Sequence, residues 1–114
     1  MGGGKPLDGL WTVVFSTGAD SSGGVIVFTD GQLRGGDSCY FYVGEYSVDD
    51  NRRLTSNVTA YAFSDKASTV FGVPLRRFDL QIAGSFVTSD SVEAEATVTS
   101  VPKVRLRMRL TRRV

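Results

Sequence analysis

Histidine is absent from this chain, which carries 13 basic residues, 12 acidic residues and a single cysteine. Without imidazole there is no Ser-His-Asp or Cys-His nucleophile, and the commonest general base is missing. A zinc site would have to combine Cys39 with carboxylates, a poor set for an ion that favours nitrogen and sulfur ligands. Glu93 and Glu95 could serve glycoside chemistry as a carboxylate pair. They stand on one strand face with arginines as neighbours, however, and ordinary ion pairing accounts for them. The glycines at 2–4 and 35–36 do not lead into a helix with Lys and Ser or Thr behind it, so neither run reads as a phosphate loop. Cys39 has no partner for an intramolecular disulfide and reads as a small buried hydrophobe. The sequence predicts a protein that is not an enzyme, with no catalytic residue, no metal and no cofactor.

Two charged segments remain as candidates for binding. Lys103, Arg105, Arg107, Arg109, Arg112 and Arg113 crowd the last dozen residues, which contain no acid. One reading is a surface that follows a nucleic-acid backbone. The other pairs the outward arginines with Glu93 and Glu95 across a hairpin and uses the surplus to protect a sheet edge. No ladder of aromatic residues accompanies the arginines, so nucleic acid is the weaker reading. The second segment is Asp49-Asp50-Asn51, followed by Arg52 and Arg53. These residue types favour a tight turn on their own account, and an exposed acidic turn can also contact a partner.

The elements that must position these groups are strands. Val104, Leu106, Met108 and Leu110 alternate with Arg105, Arg107 and Arg109. Alternation with period two puts the apolar set on one face and the arginines on the other. A helix would scatter them and bury arginine. Val92, Ala94, Ala96 and Val98 alternate in the same way with Glu93, Glu95, Thr97 and Thr99, and a short connection at 100–103 makes the two stretches a hairpin. Phe78, Leu80, Ile82 and Phe86 form a third alternating set. Residues 9–17 and 40–46 are rich in β-branched and aromatic types. Asp30-Gly31 between apolar runs is a strong two-residue hairpin signal, because both positions need positive φ. Strands are also expected over 24–29, 32–34 and 53–63. Only 64–74 lacks alternation, and there Ser64 could cap one short helical turn over 65–68.

About eight strands with short links imply an all-β chain, and a meander of even strand number hides its edges by closing into a single antiparallel barrel. Ala60, Ala62, Gly84, Ala94 and Ala96 fall at inward positions. They would suit either a small-ligand cavity or tight curvature around a packed interior, and close packing of protein interiors favours the second.

At 114 residues and 41% hydrophobic composition the chain is one globular domain. Residues 1–7 read as a tail and 8–114 as the barrel. A net charge of +1 speaks against a surface tuned wholly for nucleic acid or anionic membrane. No apolar run approaches the roughly 20 residues of a membrane-spanning helix, and no secretion signal is recognisable, so a cytoplasmic location is expected.

The first half of the chain resembles the GrlR-type negative regulators of type III secretion. The likeness runs through Asp8-Gly9-Leu10-Trp11, Val14-Phe15, Gly24-Val25-Ile26, Asp30-Gly31, Gly35-Gly36-Asp37, Tyr42-Val43-Gly44 and Ser47 to Leu54. Beyond Leu54 only the strand pattern continues. The resemblance implies a small lipocalin-like barrel, paired as a homodimer, that represses by gripping a transcriptional activator. It also implies that an exposed acidic turn contributes to that grip. The corresponding residues here are Val48, Asp49, Asp50 and Asn51, followed by Arg52, so partner contact falls on Asp49, Asp50, Asn51 and Arg52. The expected function is thus a non-catalytic regulator that binds a protein. The alternative is a carrier holding a small apolar molecule inside the barrel.

Overall fold

A computed structural model of the chain describes residues 7–18, 20–66, 69 and 75–114. Eight strands follow one another: β1 (Gly9–Ser16), β2 (Ser21–Thr29), β3 (Gln32–Gly36), β4 (Tyr40–Val48), β5 (Arg53–Ala62), β6 (Arg77–Thr88), β7 (Ser91–Val98) and β8 (Val101–Arg112). Each pairs antiparallel with the next, and β1 pairs with β8 to close the barrel. The turn at Asp30-Gly31 has the positive φ angles, 50° and 80°, that a two-residue hairpin of this twist requires.

Alternation decides which side chains are inside. Trp11, Val13 and Phe15 of β1 are buried, as are Leu106, Met108 and Leu110 of β8, while the arginines between the latter point out. The buried residues of all eight strands join in one apolar cluster that fills the interior. Ser56 is the one buried polar side chain among the described residues. Its hydroxyl donates to the Glu45 carbonyl at 2.6 Å, which offsets the cost of burying it.

The small inward residues serve close packing. Leu54, Gly84, Ala94, Met108 and Phe15 pair in succession across five strands, so a large residue closes each side of the Gly84–Ala94 pair. A Cβ on Gly84 would meet the Ala94 Cβ and the Glu93 carbonyl oxygen, both at 2.5 Å. Two irregularities shape the wall. The β6–β7 register shifts between Phe86 and Thr88. Val98 pairs with Val101 but Thr97 pairs with Arg105, so Pro102, Lys103 and Val104 leave the ladder. A bulge is where a strand tolerates a proline, which has no N–H to give.

One boundary differs from expectation. Leu7 is fully buried and accepts a hydrogen bond from the Trp11 indole at 2.8 Å, so it belongs to the barrel and not to a tail over 1–7. Apolar contact with the core outweighs its position near the chain end. The helical turn expected over 65–68 falls partly outside the described residues. At its start the Ser64 hydroxyl accepts from the Lys66 amide at 3.1 Å, a bond that caps a local turn.

Gly84→Ala is expected to lower stability by about 1–3 kcal/mol through overpacking, despite the better strand propensity of alanine. The midpoint of urea unfolding measures this.

Candidate functional site

The turn between β4 and β5 is held by one of its own acids. The Asp49 carboxylate accepts from the amides of Asn51 (2.8 Å) and Arg53 (3.0 Å). The Asp49 main chain exchanges bonds with Arg52 and Arg53 at 3.0 Å each. This geometry puts Arg52 at φ 59°, a left-handed conformation that a side chain with a Cβ adopts at a cost. Its guanidinium then lies over the Phe86 ring, 4.4 Å from the centroid. Of the four expected contact residues, Asp49 is therefore committed to its own backbone and Arg52 is drawn onto β6. Asp50 and Asn51 are exposed at the tip. The structure brings the four together in one exposed turn, in which the side chains of Asp49 and Arg52 are engaged within the molecule.

Beneath the turn lies one end of the barrel, sealed by a chain of aromatic and cationic groups. Phe86 meets Trp11 edge to face at 6.3 Å. The Arg112 guanidinium covers the Trp11 ring at 4.6 Å. It also donates to the Asp8 carbonyl (2.7 Å), the Asp90 carboxylate (3.0 Å) and the Ser89 carbonyl (3.2 Å). Tyr46 packs on Phe28 at 4.8 Å and donates its hydroxyl to the Asp8 carboxylate at 2.8 Å. Arg112 was expected among the outward surplus of positive charge. The structure corrects this: Arg112 shares the parity of Leu106, Met108 and Leu110 and closes the barrel end. That parity was the available signal, and arginine's usual place at the surface obscured it.

The opposite end holds a second polar arrangement. Asp37 accepts from the amides of Cys39 and Tyr40, both at 2.8 Å, and from the Tyr42 hydroxyl. Tyr40 donates to the Leu75 carbonyl. Burial, and then the bond to Asp37, hold the Tyr42 hydroxyl far above the usual phenol range. A phenol so placed stays neutral and acts as a donor that fixes the β3–β4 corner. Cys39 is half-buried and packs on the core.

The outer wall carries the remaining charge. Arg109 bridges to Glu93 at 3.2 Å and Arg105 to Glu95 at 3.5 Å, the cross-hairpin pairing expected from the sequence. Exposed Phe41 and half-buried Tyr61 stack on neighbouring strands at 5.2 Å with Arg77 beyond them, a contact that sequence reasoning did not assign. Among the described residues, no three of His, Cys, Asp and Glu are grouped so as to hold a metal ion.

Neither a protein-family model nor a curated protein matches the sequence. Among solved structures the chain is similar to a redesigned β-barrel, mFAP1, bound to DFHBI. The identity is 17%, the match covers 98% of this chain and 100% of that one, and the TM-score is 0.69. A second redesigned barrel, b11L5F_LGL, matches at 13% identity over 98% of this chain and 96% of that one, with a TM-score of 0.52. At these identities the likeness is one of fold alone.

Burial, followed by the bond to Asp8, pushes the Tyr46 hydroxyl up to about 12. Burial also raises Tyr40 and Tyr42. Each is an acid whose folded pKa exceeds its unfolded value near 10. Their contribution to stability is thus whole below about pH 10 and is lost as pH rises through the folded values. Urea unfolding at about pH 8 and pH 11 is expected to show the midpoint falling, and Tyr46→Phe is expected to lessen the fall.

Proposed function

We propose that this barrel is a non-catalytic regulatory protein that holds a protein partner on its outside and represses by sequestering it. The observation that carries the reading is the division between interior and tip. The chain's own side chains occupy the inside as one buried cluster, while a rigid turn presents Asp50 and Asn51 outward. A tip ordered in advance loses little freedom on binding, which favours recognition. The resemblance to GrlR-type regulators makes a transcriptional activator the partner class and a second copy of the chain a further associate.

The acidic tip suits a partner with a basic surface. Arg52 is adjacent, but its guanidinium is engaged over Phe86. Asp50 is therefore the residue to test. A change at Asp49 would also remove the bonds that shape the turn.

The second reading, a carrier of a small apolar molecule, finds its inward alanines and Gly84 already packed. The dye held by mFAP1 belongs to that designed protein, whose sequence is different at most positions.

Asp50→Lys is expected to weaken capture of a basic activator by about 1 kcal/mol, roughly fivefold, at unchanged thermal stability. Calorimetric titration of the activator against both forms measures it, and equal affinity would take the turn out of the interface. Native mass spectrometry of freshly purified protein is expected to show bare chain mass, as monomer or dimer. An added mass that disappears on denaturation would favour the carrier instead.

A further inference from the structure

Outside the turn, the most unusual surface is the sector formed by β8, β1 and β2. These three strands contain no aspartate or glutamate. Lys103, Arg105, Arg107 and Arg109 point outward from β8. Three of the exposed large apolar side chains lie in the same sector, Val14 (51% exposed) on the neighbouring β1 and Val25 (44%) and Val27 (40%) one strand further away on β2. The register places Val14 opposite Arg109 and Ser16 opposite Arg107. On its other side Val14 faces Gly23. A Cβ on Gly23 would come near only the Val13 carbonyl, at 3.4 Å, so the space outside it is open. Val14, Ser16, Arg107 and Arg109 line one shallow depression of the outer wall together with Glu93 and Glu95 of β7, the acids that pair with Arg109 and Arg105.

Within the arginine row the charges are used unequally. Glu93 draws Arg109 and Glu95 draws Arg105 toward β7. Arg107, between them, is exposed and has no partner among the described residues. Alternate residues of a strand lie about 6.8 Å apart. An extended polypeptide carrying acids at alternate positions repeats its carboxylates at the same interval.

The geometry points to this sector as a docking surface for an acidic polypeptide segment with apolar side chains among its acids. A carboxylate would meet Arg107, flanked by Arg105 and Arg109 in their pairs with Glu95 and Glu93, and an apolar side chain would enter the gap beside Val14 over Gly23. Closure of the barrel fixes the mode of docking. β1 and β2 have no free edge along their paired lengths, so the segment lies across side chains and does not add as a strand. Single-stranded nucleic acid fits less well, because bases stack on aromatic faces and the sector offers valines. The stacked aromatic pair, Phe41 and Tyr61, lies on β4 and β5 and stacks on itself. This inference uses none of the residues of the β4–β5 turn and stands or falls apart from it.

The test is fluorescence anisotropy with a labelled synthetic peptide bearing glutamate at every second position and leucines between. Lysine-for-glutamate peptide and labelled oligothymidylate serve as comparisons. The acidic peptide is expected to bind at low salt and to weaken as salt rises. Arg107→Glu should reduce its affinity about tenfold or more, Arg107→Gln by less, and Val14→Ser severalfold. Both positions are exposed, so melting temperatures should match the parent. The proposal is overturned by absence of peptide binding at low salt, by unchanged affinity in both Arg107 variants, or by tighter binding of oligothymidylate than of the acidic peptide.

Discussion

The pairing of β1 with β8 is the constraint from which the other features follow. Six successive positions, from Trp11 opposite Arg112 to Ser16 opposite Arg107, join the first strand to the last. Closure gives every strand an inside and an outside and removes two edges that would otherwise invite other chains to pair. It also sets Arg112 over Trp11, where a charge only about a quarter exposed must be compensated. Cation–π attraction contributes about 0.5–2 kcal/mol. The bonds to Asp8, Ser89 and Asp90 tie the start of β1, the β6–β7 turn and the end of β8 to one group. The guanidinium can hold three segments at once because its donors form a rigid fork. Lysine has the charge but not the fork.

What was legible in the sequence follows from how strongly each residue type agrees with its position. In β8, arginines alternating with Leu106, Met108 and Leu110 admit one orientation, and the structure adopts it. Asp30-Gly31 marks its turn because few other pairs accept two positive φ angles. β4 is different: Tyr40, Phe41, Tyr42 and Val43 are apolar in succession, so alternation cannot say which go inside. The buried pair Tyr40 and Tyr42 and the exposed Phe41 are told apart only by the register with β5. Arg112 was hidden for the opposite reason, since its type and its parity disagree. Leu7 was hidden because burial depends on the far side of the fold.

The candidate turn shows the same limit. Its residue types say that a turn forms, and both acids look equally free in the sequence. Only the bonds separate them: Asp49 accepts from two amides of its own loop, while Asp50 is exposed beside it. Geometry also decides where Arg52 goes. Arg52 is drawn onto Phe86, which in turn packs on Trp11, so the shape of the tip depends on the same aromatic chain that seals the barrel.

On the outer wall of the barrel the charges are sorted by strand. β8, β1 and β2 carry no acid, while the turn between β4 and β5 presents Asp50. With a net charge of +1 over the whole chain, long-range attraction has little to say about which partner approaches. Discrimination has to come from local arrangement: an unpaired arginine beside an exposed valine on one side, and a braced acid on the other. Exposed charges contribute modestly one at a time. Under the two proposals their value would lie in rejecting the wrong surface, a basic partner at the arginine row and an acidic one at the tip. The two proposed surfaces would thus suit partners of opposite character, and they sit on one closed sheet.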